Sequence, residues 1–176
     1  MTESKKAPSP KRWRHDELLA DLADHVRTTP ESMQWSDMQL GPAGSARPDL
    51  FVMKKSYAKP RPVVYEVKIS VADFRSDITS GKWQKYLEFA EGVYFAVPAG
   101  LITKLELPSG CGLIVRGPEG WRVLKAPTLQ KISRLPQDVL LKLLIDGVHR
   151  QGMSRKIEHF NLQDAVKRIK AKFGTD

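Results

Sequence analysis

Asp49, Glu66 and Lys68 are the residues of this chain whose types and spacing best suit chemistry on a phosphate ester. Two carboxylates held together repel each other unless a cation lies between them. Oxygen ligands of this kind, with waters still attached, suit Mg²⁺ or Mn²⁺. A nearby lysine orients a water, lowers its pKa and offsets charge on a phosphate in the transition state. These residue types therefore predict phosphodiester hydrolysis.

The spacing of the three residues depends on a hairpin between two β-type runs. A turn centred on Tyr57 and Ala58 places Asp49 directly opposite Glu66. Residues opposed in this way share a face of the sheet, with Cβ atoms about 5 Å apart. Lys68 lies two residues after Glu66 and therefore on the same face. A slip of one residue in the register would separate the three side chains.

The hydrophobic pattern predicts the elements that must position this group. Helical periodicity marks four segments, about 14–28, 72–90, a third that begins after Pro136, and a basic one at 160–173. Strand patterns mark six segments, at about 34–40, 49–53, 63–69, 93–97, 112–116 and 121–125. The helix between Ile69 and Val93 implies that the strands on its two sides are parallel. The order predicts an α/β protein, more closely α+β, with helices packed on a mixed sheet.

Positive charge is concentrated at the two ends of the chain. Residues 1–14 hold five Lys or Arg against one acid, and residues 150–176 hold seven against three. The stretch between them has seventeen basic and sixteen acidic residues. Basic tails attract a polyanion and release its counterions on binding, although they also serve solubility alone.

Several other classes of protein are excluded or disfavoured. The chain has one cysteine, Cys111, so it has no intrachain disulfide and no cysteine-based zinc site. No apolar run reaches the length of a membrane span, and no secretory signal is recognised, so a cytoplasmic protein is expected. The segment around Gly81 and Lys82 lacks the remaining residues of a phosphate-binding loop. The four histidines, His15, His25, His149 and His159, show no metal-ligand spacing.

The pattern Pro48-Asp49 … Glu66-Val67-Lys68 resembles the signature of the PD-(D/E)xK nuclease superfamily. Longer segments within about residues 15–145 resemble MmcB-type DNA repair proteins: Arg47-Pro48-Asp49, Tyr65 to Ser70, Asp73 to Asp77, Lys82-Trp83, Tyr86-Leu87, Tyr94 to Pro98 and Gly112 to Val115. This resemblance implies a restriction-endonuclease-like core of order αβββαβ, with an extra β-hairpin and C-terminal helices. It also implies a role in DNA repair.

The resemblance implies roles for the residues of the signature. Asp49 and Glu66 are expected to ligate Mg²⁺ or Mn²⁺ together with the Val67 carbonyl, and Lys68 to position the attacking water. Members of the superfamily often add an acid from the first helix, for which Glu17 is the candidate here. Asp37, which follows that helix, is another possibility for the additional acid.

Five polar residues around the start of the second helix are expected to support the site: Ser70, Asp73, Asp77, Lys82 and Gln84. Asp73 has an alternative interpretation as an ordinary helix cap. Trp83 and Tyr86 lie on an apolar stripe, which favours a place in the core over a role in base stacking.

The sequence divides into a disordered basic arm at 1–12, a nuclease-like domain at 13–149 and a basic helical extension at 150–176. Nucleic-acid binding is predicted for basic residues of the two ends, namely Lys5, Lys6, Lys11, Arg12, Arg14, Lys167, Arg168, Lys170 and Lys172.

Three functions are consistent with these observations. The first is a metal-dependent DNA nuclease in DNA repair or processing. The second is a nuclease-fold protein with little or no turnover that binds DNA as an accessory of a repair complex. The third is an RNA-binding or RNA-processing protein. One such site cuts one strand, so a double-strand break would need a homodimer or two successive nicks.

Overall fold

The structure is a computed structural model that describes residues 12–41, 44–45, 47–132, 134–150, 163–164 and 167–168. The helices are α1 (His15–Arg27), α2 (Val71–Ser80), α3 (Lys82–Lys85) and α4 (137–150), with short 3-10 turns at Tyr86–Glu88 and Lys104–Glu106. The strands are β1 (Ser32–Ser36), β2 (Leu50–Lys54), β3 (Val63–Val67), β4 (Gly92–Pro98), β5 (Gly112–Gly117) and β6 (Gly120–Lys125).

The six strands form one sheet in the order β1-β2-β3-β4-β5-β6. The pairs β1–β2, β2–β3 and β5–β6 are antiparallel, whereas β3–β4 and β4–β5 are parallel. The parallel pairing of β3 with β4 follows from the helical connection between them, as predicted. The chain is therefore an α+β protein with a mixed sheet, which confirms the predicted fold class.

The hairpin of β2 and β3 has the predicted register. Leu50 pairs with Tyr65, and Val52 pairs with Val63. Extending this register by one residue brings Asp49 opposite Glu66. In this register Leu50 and Phe51 are both fully buried, on opposite faces of the sheet, and a slip of one residue would exchange the faces that they occupy.

Helices cover both faces of the sheet. On one face, α1 packs its apolar stripe, which includes Leu18 and Leu22, against a cluster that contains Leu50 and Val67. The second face is covered by α2, α3 and α4 and has a larger aromatic core made by residues such as Phe51, Phe74, Tyr86, Phe89 and Phe95. Because β4 lies in the middle of the sheet, its residues Val93 to Val97 are buried on both faces apart from Tyr94, as a central parallel strand requires.

A part-buried ion pair fastens α1 to the far hairpin of the sheet. Arg116 of β5 donates from Nε and Nη2 to the carboxylate of Asp21, at 2.8 to 3.2 Å. The indole nitrogen of Trp121 donates to the same carboxylate at 2.8 Å. These contacts join residues about a hundred positions apart and fix the position of α1 over the sheet.

Two predicted elements differ from the observed ones. The strand predicted at 34–40 is found at Ser32–Ser36, and it ends where Asp37 adopts φ 55. The long helix predicted at 72–90 is interrupted, because Gly81 adopts φ 66 and ψ 18 and so ends α2 in a left-handed cap. Of the helix predicted at 160–173, residues 163, 164, 167 and 168 are helical, and the remainder lies outside the described residues.

Candidate active site

Glu66 lies at the end of β3, and its side chain is fully buried at 0% exposure. The hydroxyl of Tyr86 donates to Glu66 Oε1 at 2.5 Å. The ammonium groups of Lys68 and Lys82 lie 3.2 Å and 3.3 Å from Glu66 Oε2. Both oxygens of this buried carboxylate are thus contacted by donors from the residue after β3, from α3 and from the turn that follows α3.

The electrostatic environment of Glu66 is a balance between opposing effects. Burial and the nearby charge of Asp49 raise the pKa of Glu66, and they outweigh Lys68, Lys82 and the Tyr86 hydroxyl, which lower it. The repulsion between the two carboxylates is the feature that a bound cation would relieve.

Lys68 is a buried ammonium, with 5% of the residue exposed, surrounded by carboxylates. In addition to Glu66, it lies 3.0 Å from Asp77 and 3.8 Å from Asp73. Burial lowers the pKa of Lys68, but Glu66, Asp77 and Asp73 outweigh this effect, so the net pKa is raised. Lys68 is therefore protonated at neutral pH, and it can donate hydrogen bonds and stabilise negative charge but cannot accept a proton.

Asp49 stands immediately before β2 and is held at the edge of the site. Its Oδ2 accepts a hydrogen bond of 2.7 Å from the backbone N–H of Val67. The same oxygen lies 3.4 Å from Nε2 of His15, the first residue of α1. Asp49 is thus tied to both the neighbouring strand and the first helix.

A cleft of about 850 Å³ opens over Asp49. Its walls come from the start of α1, the end of β1, the segment before β2, and α3. The charged and titratable residues that line it are His15, Asp16, Asp37, Arg47, Asp49, Lys82 and Lys85. Lys82 contacts Glu66 and also lines the cleft, so the buried carboxylate is one side chain away from this opening.

The donors at the site are compatible with a hard divalent cation. Within the described ranges, no group of three His, Cys, Asp or Glu side chains is placed to hold a metal ion. Mg²⁺, however, keeps several waters and is usually bound through only one or two carboxylates. Asp49, immediately before β2, and Glu66 of β3 supply that number, and the Val67 carbonyl is a third candidate oxygen.

The two candidates for an additional acid have different surroundings. Glu17 is exposed, and its carboxylate accepts a hydrogen bond from the backbone N–H of Arg14 at 3.4 Å, closing the first turn of α1. Asp37 lines the cleft, and its backbone N–H donates to the carbonyl of Asp49 at 2.9 Å. Its carboxylate forms an ion pair with Arg47. The structure thus brings Asp37, rather than Glu17, to the cleft.

The supporting residues predicted around α2 divide into two groups. Asp73, Asp77 and Lys82 contact the charges of the site, as described above. Ser70 caps α2 by accepting a hydrogen bond of 3.2 Å from the backbone of Asp73, so the cap is Ser70 and not Asp73. Gln84 is exposed beside Gly81 and does not line the cleft.

Tyr86 and His15 belong to the site but were not predicted as site residues. The apolar stripe of the second helix assigned Tyr86 to the core, where its ring is indeed buried. Only its hydroxyl, which donates to Glu66 and also lies 3.3 Å from the Arg47 carbonyl, reaches the charged group. His15 had no partner at a metal-ligand spacing, and its contact with Asp49 spans 34 positions. The available signal for Tyr86 was its spacing: it lies four residues after Lys82, so the two side chains share one face of the predicted helix.

The basic residues predicted to bind nucleic acid are only partly described. Arg12, Arg14, Lys167 and Arg168 are exposed, and Arg168 pairs with Asp164 at 2.8 Å. Lys5, Lys6, Lys11, Lys170 and Lys172 lie outside the described residues. Within the part of the chain that the structure describes, no helix is both long enough and apolar enough to cross a membrane.

Comparison with known proteins identifies a family. A family model described as "DNA repair protein MmcB-like" matches residues 16–158 of the chain. No curated protein matches significantly. Among solved structures, the chain is similar to a protein of unknown function from Silicibacter pomeroyi, with a TM-score of 0.61 and 23% sequence identity. The similarity covers 87% of this chain and 96% of that protein, and at this identity it supports the fold alone.

Proposed function

We propose that this chain, which belongs to the MmcB-like family of DNA repair proteins, is a Mg²⁺- or Mn²⁺-dependent deoxyribonuclease. The observation that carries the proposal is the buried pair of Glu66 and Lys68, contacted by the half-buried Lys82, beside Asp49 at the wall of the cleft. Burying two like charges with their counterions costs free energy, so such a group is a candidate functional site. Its carboxylates and lysine are those of the PD-(D/E)xK signature.

Each residue of the group has a role in this proposal. Asp49, Glu66 and the Val67 carbonyl hold the cation, which when bound polarises the phosphate and lowers the pKa of a water. Lys68 remains charged, orients the water and stabilises the negative charge that develops on the phosphate. Lys82 shields Glu66 while the site holds no cation, and its position in the cleft allows it to contact the phosphate instead.

The test is cleavage of supercoiled, single-stranded, forked and RNA substrates with Mg²⁺, with Mn²⁺ and with EDTA. Asp49→Asn keeps the shape of the side chain but removes the charge, so cleavage should fall at least about 100-fold. Asp24→Asn makes the same chemical change on the exposed side of α1 and should leave the rate within about twofold. Full activity of Asp49→Asn, or undiminished cutting in EDTA, would refute the proposal.

A second function is favoured by one observation. Both oxygens of Glu66 already have donors from Tyr86, Lys68 and Lys82, so the charges of the site are paired without a metal. This arrangement also suits an accessory protein of a repair complex that binds DNA with little or no turnover. Salt-sensitive DNA binding that is unchanged by metal or by Glu66→Gln, with no cutting of any substrate, would favour this function. Preference for RNA in competition would favour the RNA-binding alternative.

A further inference from the structure

Two stretches that contain lysine and arginine but no acid meet at the end of the sheet opposite Glu66. Residues 54–61, which connect β2 to β3, contain four Lys or Arg and no Asp or Glu. Residues 125–134, which begin at the last residue of β6, contain three basic residues and again no acid. The chain between its two basic ends is nearly neutral on average, but these two stretches carry a local excess of positive charge.

These stretches enclose a pocket of about 520 Å³. Four cations line it, Lys59, Arg61, Lys131 and Arg134, and we call it the basic pocket. All four are exposed, and none lies within ion-pair distance of a carboxylate of the described residues. Most of the cations at the candidate site, by contrast, are paired with acids. Among the described residues that line the basic pocket, Glu91 is the one acid, so four cations face a single carboxylate. A concave surface with such an excess of one charge concentrates the electrostatic field and attracts ions of the opposite sign.

The wall of the basic pocket is held by backbone hydrogen bonds. The N–H of Gln130 donates to the carbonyl of Glu91 at 2.8 Å, and the N–H of Glu91 donates to the carbonyl of Pro62 at 2.7 Å. The Gln130 side chain donates to the carbonyls of Leu87 and Ala90. These contacts anchor the 125–134 stretch against the start of β3.

Arg61 itself adopts φ 43, a left-handed conformation that is unfavourable for residues other than glycine. Strain of this kind persists where the surrounding structure holds the residue in place, and it is concentrated at functional positions.

An exposed aromatic ring stands at the rim of the basic pocket. Tyr57 lies at the tip of the hairpin with 107% relative exposure. An aromatic side chain beside a group of cations is the combination by which proteins bind single-stranded nucleic acid, with bases stacked on the ring and phosphates beside the cations. Duplex DNA does not offer an unpaired base to such a ring.

The surface between the cleft and the basic pocket includes one more hollow. This hollow of about 360 Å³ shares Gly44, Ser45 and Lys85 with the cleft. It extends to Pro136, the chain neighbour of Leu135, which lines the basic pocket. The middle hollow contains Glu88 and Asp138, so it repels phosphate more than either end does. Contacts with a polyanion are therefore concentrated in the cleft and in the basic pocket.

We propose that the basic pocket binds single-stranded DNA, and that one strand extends from the cleft to this pocket. The proposal rests on the proposed function in one respect, namely that DNA occupies the cleft. The five residues of β3 at about 3.3 Å each separate the two sites by roughly 17 Å. This straight-line distance equals roughly five nucleotides at about 3.4 Å each, and a path over the surface is longer. A strand of fifteen nucleotides is therefore long enough to reach both.

The test is fluorescence anisotropy with a labelled fifteen-nucleotide DNA in EDTA, over a range of salt concentrations. The pocket variant is Lys59→Gln/Arg61→Gln/Arg134→Gln. Its matched control removes three cations elsewhere, as Lys104→Gln/Arg122→Gln/Lys142→Gln. We expect the pocket variant to lose at least tenfold in affinity, and its salt slope to fall by about 2, at about 0.7 per lost phosphate contact. The control should lose less than threefold. Equal losses by the two variants would overturn the proposal, because net charge alone would then explain binding.

Tyr57→Ala tests the aromatic part separately. We expect at least about fivefold weaker binding of the single strand, an unchanged salt slope and unchanged binding of a duplex. An acidic peptide that competes as well as DNA, with no effect of Tyr57→Ala, would instead identify a protein partner and overturn the proposal. Lys131→Gln, a change of one exposed side chain, provides a further measurement if the triple variant fails to fold, and it should still weaken binding and reduce the salt slope.

Failure of this proposal is distinguishable from failure of the proposed function. A pocket variant that binds DNA like the control, in a protein whose metal-dependent cutting is lost in Asp49→Asn, overturns the basic pocket alone. Pocket-dependent binding without any cutting refutes the nuclease and leaves the basic pocket in place.

Discussion

The residue that most constrains the site is Glu66, a carboxylate in the interior of the protein. Its burial is tolerated because Tyr86, Lys68 and Lys82 each direct a donor at it. A buried charge costs several kcal/mol unless it is paired and hydrogen-bonded, so each of these donors contributes to the stability of the fold as well as to the site.

Replacement of Tyr86 by Phe tests this dependence. The variant retains the buried ring but leaves Glu66 Oε1 without the hydroxyl, so the free energy of unfolding should fall by about 1–3 kcal/mol. Urea unfolding followed by circular dichroism measures this change. Tyr94→Phe is the matched control, because the hydroxyl of Tyr94 makes no hydrogen bond within the described residues. Equal stability of both variants would contradict a structural role for the Tyr86 hydroxyl.

At the scale of elements, the break between α2 and α3 determines which side chains reach the site. Gly81 turns the chain so that Asp77, before the break, and Lys82, after it, both face the group around Glu66. Asp77 and Lys82 are five positions apart, and in a continuous helix this spacing would place them on different sides of the helix axis. The break at Gly81 therefore allows both Asp77 and Lys82 to reach the charged group around Glu66.

Gly81→Ala should destabilise the protein by about 1–2 kcal/mol, because a Cβ is disfavoured in the left-handed conformation. The added Cβ would also lie 2.9 Å from Oε1 of Gln84, which must then move. Thermal unfolding would measure the loss, and Gly81→Asn should lose less, because asparagine tolerates this conformation better. An alanine variant as stable as the glycine protein would show that the break is not required.

At the scale of the whole molecule, the sheet has helices on both faces and one cysteine in its core. Cys111 is buried beside β5 within the larger core, and burial raises the pKa of its thiol to about 12, an effect that Lys125 reduces only in part. The thiol is therefore both inaccessible and protonated at neutral pH.

Because Cys111 is the one cysteine of the chain, its reactivity reports the opening of the core directly. In native protein at neutral pH, we expect negligible reaction with a thiol reagent, whereas one thiol per chain should react in urea. The midpoint of reactivity in urea should coincide with that of circular dichroism. Rapid labelling of the native protein would indicate that β5 opens locally.

Several features could be predicted from the sequence because they depend on near neighbours. Two β-type runs joined by a polar connection predicted the hairpin of β2 and β3, and the centre of their turn predicted the register that opposes Asp49 and Glu66. The helical segment before β4 predicted its parallel pairing with β3. Domain boundaries, the dimer, the metal and the catalytic roles remain predictions.

The remaining features were decided by the tertiary structure. Tyr86 follows the same apolar stripe as its neighbours, and the sequence does not show that its hydroxyl would meet Glu66, twenty positions earlier. The contact of His15 with Asp49 spans 34 positions, and the basic pocket joins two separate stretches. Periodicity shows which face a residue occupies, but not what lies across from it. Those contacts depend on how whole elements pack, which is a property of the folded chain and not of any local segment.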